Sequence, residues 1–295
     1  MNVIVHCMED SDQVTETPAT QAATETAAQV HARRAGSFGA AAAAYAEFRP
    51  SYAVDAIRWA LAPVTGQPAE RGTEPLAVVD LGAGTGKLTA QLATISFGPR
   101  PVALVAIEPD PAMLAELRRR VPGVKAVSGR AEEIPLPDAS VDAVVAGQAA
   151  HWFDLDLAIP EIARVLRPGG VIGGLWNADD DRVAWVAGLH EASGNRTVVP
   201  GPDSDSTEMT DWIAPAGGRF FEPMREAVFS HQLTRTADSL VATLRTHSSF
   251  LIMEPEEREA VLGRVRDFLA ATPETASGEF VVPMQTLAIR AIRRS

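Results

Sequence analysis

Val78-Val79-Asp80-Leu81-Gly82-Ala83-Gly84-Thr85-Gly86-Lys87-Leu88-Thr89 is the stretch that decides the fold. An apolar run meets three glycines spaced two apart, and a mixed run follows. That order reads as strand, tight turn, helix. Glycine lets the main chain turn sharply and lets a ligand approach the backbone. A helix start offers N–H groups that have no intrahelical partner. A dinucleotide site asks for G-x-G-x-x-G. Counted from Gly82, the third glycine of that pattern falls on Lys87. The stretch is G-x-G-x-G instead. It also lacks the G-K-[ST] ending of a phosphate loop, because Leu88 follows Lys87.

Outward from this turn, the chain alternates between two periods. LAVVDL (76–81), VALVAIE (102–108), VKAVSG (124–129), SVDAVVAG (140–147) and VIGGLWN (171–177) predict five strands. Gly86–Ala93, Pro111–Arg120 and Leu155–Leu166 predict helices, the last ended by Pro168-Gly169-Gly170. REAVFSHQLT (225–234) predicts another strand, and Ala237–His247 and Pro255–Ala271 two more helices. FVVPMQTLAIRAIRR (280–294) predicts one or two final strands, with Pro283 at a strand start or bulge. Apolar strands separated by helices imply an α/β fold, with a mostly parallel sheet covered on both faces.

Upstream, Asp10 to Arg34 is rich in Thr, Ala, Glu and Gln and has no aromatic residue, so residues 1–36 are expected to be a disordered tail. Ser37–Phe48 predicts a helix with a Ser cap, Ala53–Ala62 a second, and Pro50 breaks the chain between them. The expected organisation is the tail, then one domain over 37–295. Within it, 37–62 forms a helical cap and 76–295 the sheet domain.

Of the 295 residues, 46% are hydrophobic and 22% charged, as in ordinary globular proteins. A collagen, a disulfide scaffold and a chain disordered throughout are excluded. Cys7 is the one cysteine, so no internal disulfide and no cysteine metal cluster can form. No apolar run approaches the roughly 20 residues that span a bilayer. The start has no basic flank and does not read as a secretory signal. A cytoplasmic location and no membrane partner are expected. The net charge of −12 counts against nucleic acid. The run Asp179-Asp180-Asp181 could hold a divalent cation or cap a helix, and the reading adopted is no metal. Oligomeric state is not legible.

Glu108 follows Gly86 by 22 residues and ends the second predicted strand. A carboxylate there accepts two hydrogen bonds from vicinal ribose hydroxyls. Asp80 adds a second carboxylate where a diphosphate would otherwise approach, and negative charge suits an ammonium or sulfonium group. The plainer alternative is that Asp80 caps the turn and Glu108 is a solvated strand end. The two together, each at a strand end, favour a nucleoside site.

VVDLGAGTGKLT, AIEPDPAML, AEEIPLPDASVDAVVAGQAAHWFD and ARVLRPGGVIGGLWN, in that order, resemble the class I S-adenosylmethionine-dependent methyltransferases. The likeness is greatest to the small-molecule branch called type 11, which includes trans-aconitate-type enzymes. It covers roughly Phe38 to Arg294. The resemblance implies a Rossmann-like seven-stranded sheet of order 3-2-1-4-5-7-6 with an antiparallel last strand. It implies that Asp80, Gly82, Ala83 and Gly84 hold the methionine part of the cofactor and that Glu108 binds its ribose. Pro109 and Met113 would pack on adenine. Ala131 and Glu132 resemble the stretch that contacts the adenine ring, although Arg130 stands where the family often has Asp. Gln148, Ala149, His151 and Trp152 would lie where cofactor and acceptor meet. FGAAAAAYAEFRPSY resembles the family's segment ahead of the sheet, in which Tyr45, Arg49 and Tyr52 cap the site.

Two readings stand for several of these residues. Arg49 could pair with a carboxylate of the cofactor or of an acidic substrate, or be a surface arginine. His151 could be a general base, or a pocket-lining or core histidine. Trp152 and Trp176 could line a substrate pocket. The expected activity is methyl transfer from S-adenosyl-L-methionine to a small-molecule acceptor, at a carboxylate or hydroxyl. The alternatives are an NAD-dependent dehydrogenase and a cofactor-binding regulatory protein without turnover.

Overall fold

The computed structural model describes residues 42–65, 74–194 and 214–295. The expected tail, the Ser37 cap and most of the loop after residue 65 lie outside the described residues. Seven strands form one sheet: β1 (Leu76–Leu81), β2 (Val102–Ile107), β3 (Lys125–Val127), β4 (Val141–Gly147), β5 (Leu166–Asp179), β6 (Arg225–Thr236) and β7 (Glu279–Ile292). Their order is β3-β2-β1-β4-β5-β7-β6. β1 to β5 pair in parallel, while β7 runs antiparallel to both β5 and β6. The expected class and strand order are both present.

The connecting helices are α1 (Ala42–Phe48), α2 (Val54–Thr65), α3 (Lys87–Thr94), α4 (Pro111–Arg120), α5 (Leu155–Val165), α6 (Ala184–Ser193), α7 (Ala214–Phe220), α8 (Ala237–Arg245), α9 (Ser248–Leu251) and α10 (Pro255–Ala271). Successive strand residues point to opposite faces, so the central strands build two cores. Val79 and Val144 face Ile159 and Ile162 of α5. Val78 and Val145 face Ile57 and Leu61 of α2. A third apolar cluster joins α6, α8, α10 and the start of β7, with Leu189, Leu244, Leu262 and Phe280 among its members.

One local reading is corrected. Pro168-Gly169-Gly170 does not separate helix from strand, because β5 already starts at Leu166. The β4–β5 ladder shifts register between Val141↔Leu166 and Ala143↔Val171, so the extra residues form a bulge. Gly169 N–H donates to Arg293 O, and Arg293 N–H donates to Gly170 O. The terminal end of β7 thus supplies the pairing that the local turn signal could not reveal. β7 itself is one strand, and Pro283 sits inside it opposite Gln232. Pro283 O accepts from Asp180 N–H, past the end of β5. A residue's N and O point to the same side of a strand, so the absent N–H removes no bond to β6.

Candidate functional site

The site gathers at the C-terminal ends of β1, β2 and β4, where open α/β sheets bind ligands. Gly82, Gly84 and Gly86 all have positive φ (67°, 57° and 86°), which explains three glycines in five residues. A Cβ on Gly82 would lie 2.7 Å from Ala149 Cβ, whereas one on Gly84 would meet nothing within 4 Å. Gly82 therefore serves the protein's own packing, and Gly84 leaves open space. Lys87 begins α3, and burial pulls its ammonium down to about 8.

Asp80 is fully buried. Its Oδ2 accepts from Thr89 Oγ1 at 2.5 Å, while Oδ1 has no hydrogen-bond partner. Burial pushes the carboxyl up to about 7, Thr89 opposes this, and Glu108 adds to it. Glu108 is buried at the end of β2 and held by main-chain amides. Gly84 N–H donates to Oε2 at 2.8 Å and Asp110 N–H to Oε1 at 2.9 Å. Burial raises its carboxyl too, against those amides. Asp110 in turn caps α4 by accepting from Ala112 and Met113 N–H.

The cap closes this end of the sheet. Tyr52 is buried, and its main chain is gripped on both sides by the Gln91 amide. Burial, with Tyr45 and Asp80 nearby, holds the phenol well above its ordinary range, so it stays neutral. Arg49 Cζ stands 4.8 Å over the Tyr45 ring, and its Nη2 donates to Thr246 O. Together these groups enclose a cavity of about 490 Å³.

The comparisons agree with this geometry. Residues 79–173 match the family described as "Methyltransferase domain". An uncharacterized methyltransferase of Mycobacterium tuberculosis is 37% identical over 267 residues, 86% of this chain and 95% of its own. A fatty-acid O-methyltransferase of Mycolicibacterium smegmatis is 32% identical over 103 residues, 35% of this chain and 37% of its own. A solved structure from Anaeromyxobacter dehalogenans, assigned as a type II methyltransferase, superposes with a TM-score of 0.58 at 23% identity, covering 83% of this chain and 98% of its own. That last likeness speaks for the fold alone. The chain belongs to the class I S-adenosylmethionine-dependent methyltransferases.

The methyltransferase uses S-adenosyl-L-methionine, and the residues present fit it. Asp80 Oδ1, buried and unpartnered, matches a ligand ammonium. Each Glu108 oxygen accepts one amide and keeps a lone pair for a hydroxyl. The space over Gly84 admits a chain against the backbone, and the volume is that of a small-molecule site. The dehydrogenase alternative finds no support, since Lys87 replaces the third glycine and Asp80 opposes a diphosphate.

Of the expected site residues, the cavity lining contains Tyr45, Arg49, Tyr52, Asp80, Gly82, Ala83, Gly84, Glu108, Pro109, Met113, Ala131, Glu132, Gln148 and Trp152. His151 and Trp176 do not line it. Trp176 is buried in the α5-side core, and its Nε1 donates to Nδ1 of the exposed His151 at 3.4 Å. The strand alternation explains this, because the neighbouring Asn177 faces the cavity instead. Glu132 accepts from Asp154 N–H and pairs with Arg130, so it also ties the start of α5 to the β3 loop. Gln148 has φ of 54°, unusual outside glycine, and its Nε2 donates to Asn177 O. Thr89 and Asn177 were not anticipated at the site. Thr89 stands nine residues past Asp80, one helical turn into α3, a spacing that could have flagged it.

Among the described residues, no helix is long and apolar enough to cross a membrane, and no cluster of three His, Cys, Asp or Glu could hold a metal ion. Asp180 is engaged by both ends of the Arg182 guanidinium.

Proposed function

We propose that the enzyme methylates a small-molecule acceptor on oxygen, at a carboxylate or hydroxyl, beneath the cap. The observation that carries this reading is the shared lining of one cavity by the Gly82–Gly84 turn, Glu108, and the cap residues Tyr45, Arg49 and Tyr52. A site so enclosed takes a compact molecule more readily than a polymer. The oxygen chemistry named for the Mycolicibacterium relative supports the choice of atom. Residues 37–295 work as one unit, with 37–62 as the cap.

When bound, S-adenosyl-L-methionine supplies an electrophilic methyl group. Asp80 holds its ammonium, Glu108 its ribose, and Met113 and Ala131 its adenine. Bound there, the cofactor would supply its methyl group to the acceptor oxygen, the electrons of the carbon–sulfur bond remaining on sulfur. A carboxylate has no proton to lose and needs no base. The protein's contribution is alignment and exclusion of water, which is the main demand of such a displacement. Tyr52 and Gln148 wall the reacting end. His151 lies outside the lining, so no general base is assigned to it.

The test uses S-adenosyl-L-methionine labelled in its methyl group, the full chain and a cell extract freed of endogenous cofactor. Label in a small-molecule methyl ester or methyl ether supports the reading. Label confined to protein or nucleic acid sinks it.

A further inference from the structure

A second cavity, of about 40 Å³, shares Arg49, Pro50, Gln148 and Asn177 with the first. Leu233, Leu244 and Met284 are among its apolar walls. Among the described residues, its lining holds two guanidiniums, Arg49 and Arg235, and one carboxylate, Asp179. Asp179 Oδ2 also lies 3.5 Å from Nε2 of the buried His190. His247 also lines the cavity, and burial, with Arg49 and His190 nearby, presses its imidazole well below the ordinary range. It is neutral at pH 7 and supplies no charge of either sign.

Both guanidiniums are fixed by main-chain oxygens, and Arg49 keeps a buried donor unmet. Arg49 gives Nη2 to Thr246 O at 3.1 Å, and its buried Nε has no hydrogen-bond partner. Arg235 gives Nη2 to Phe48 O at 2.8 Å. Burial disfavours its charge more than Asp179 supports it. Partly buried positive charge without a counterion is costly, and an anion removes that cost. Arginine presents a planar fork matched to a carboxylate. The volume decides the size of the guest. About 40 Å³ admits about three water-sized groups, the three heavy atoms of a carboxylate, so the rest of the guest reaches toward the larger cavity.

We propose that this cavity is an anion pocket for the acceptor, in which Arg49 and Arg235 bind a carboxylate that is not itself methylated. The inference rests on the small-molecule reading above and sharpens it. The acceptor carries two polar groups: an acid anchored between the two arginines and a nucleophilic oxygen reaching into the larger cavity. A carboxylate paired with two cations has its lone pairs engaged and is a poor nucleophile, so methylation falls on the other group.

Propionate is the probe and propionamide, of the same shape without charge, the control. Both are titrated calorimetrically into the complex of the full chain with S-adenosylhomocysteine. Propionate is expected to bind at least tenfold more tightly than the amide. Arg235→Gln is expected to weaken propionate at least tenfold and leave S-adenosylhomocysteine within twofold. Arg235→Lys keeps the charge but not the fork and is expected to recover part of the loss. Equal binding of acid and amide overturns the proposal, as does Arg235→Gln with unchanged propionate affinity. If both variants lose S-adenosylhomocysteine together with propionate, the cavity belongs to the cofactor site and the proposal also fails. The small-molecule reading fails by a separate result, label found in macromolecules, which these titrations do not touch.

Discussion

Tyr52 Oη occupies the place that a side chain on Gly147 would take: a Cβ there would lie 2.5 Å from the hydroxyl oxygen. The end of β4 and the cap are therefore fitted to each other, and the fit depends on the missing methyl. Gly147→Ala must displace a buried ring whose main chain is gripped by Gln91. Overpacking of this kind costs roughly 1–3 kcal/mol. The expected result is lower melting temperature and a large fall in kcat, with faster hydrogen exchange over residues 42–53. Unchanged exchange and turnover would show that the ring moves at little cost.

If Asp80 holds the cofactor's ammonium as proposed, cofactor affinity should depend on pH. The Asp80 carboxyl sits at about 7, so it is half protonated near neutrality and loses its pull on an ammonium below that. Affinity for S-adenosylhomocysteine should fall as pH drops from 8 to 6, approaching tenfold per unit at the acid end. Asp80→Asn should flatten this profile and weaken binding at pH 8. A pH-independent wild-type affinity would refute the assignment.

The same residue links to stability with the opposite sign. The folded value lies above the ordinary carboxylate value of 3.8, so the fold prefers the protonated form. The stability that this group contributes is present at low pH and is lost as pH rises from about 4 to about 7. Above pH 7, ligand-free Asp80→Asn should melt higher than wild type, by roughly 2–4 °C per kcal/mol of relieved burial cost. Scanning calorimetry at pH 5 and pH 8 checks this, with the larger gain expected at pH 8.

Glu108→Gln keeps an acceptor for only one of the Gly84 and Asp110 amides, turns an NH2 toward the other, and removes the charge. Hydrogen bonds to a charged group contribute roughly 1.5–3 kcal/mol each. Affinity for S-adenosylhomocysteine should drop tenfold or more, while adenine alone should bind almost as before. Equal losses for both ligands would indicate a disturbed turn rather than a ribose contact.

Much of the fold was legible because burial on both faces leaves apolar runs such as LAVVDL and VDAVVAG with polar breaks between them. The Gly82–Gly86 turn and the place of Glu108 at the end of β2 were legible because both follow from local backbone geometry. The failures share one cause. Pro168-Gly169-Gly170 carries a turn signal that pairing with Arg293 overrides. Trp176 and Asn177 differ by one step on β5, and only the sheet's orientation decides which faces the cavity. Arg235 meets Phe48 across 187 positions, so the second cavity has no local signature at all.

β7 lies between β5 and β6, and this has a consequence for the order in which the sheet can be assembled. β1 to β5 can pair as they leave the ribosome, each new strand finding an earlier one. β6 cannot, because its ladder partner, β7, is made 43 residues after β6 ends. Until then two long edges wait unpaired, one on β5 and one on β6, with their main-chain donors and acceptors open to any passing strand. A ribosome pausing over the α8–α10 stretch would prolong that interval, making the yield of soluble enzyme sensitive to translation speed there.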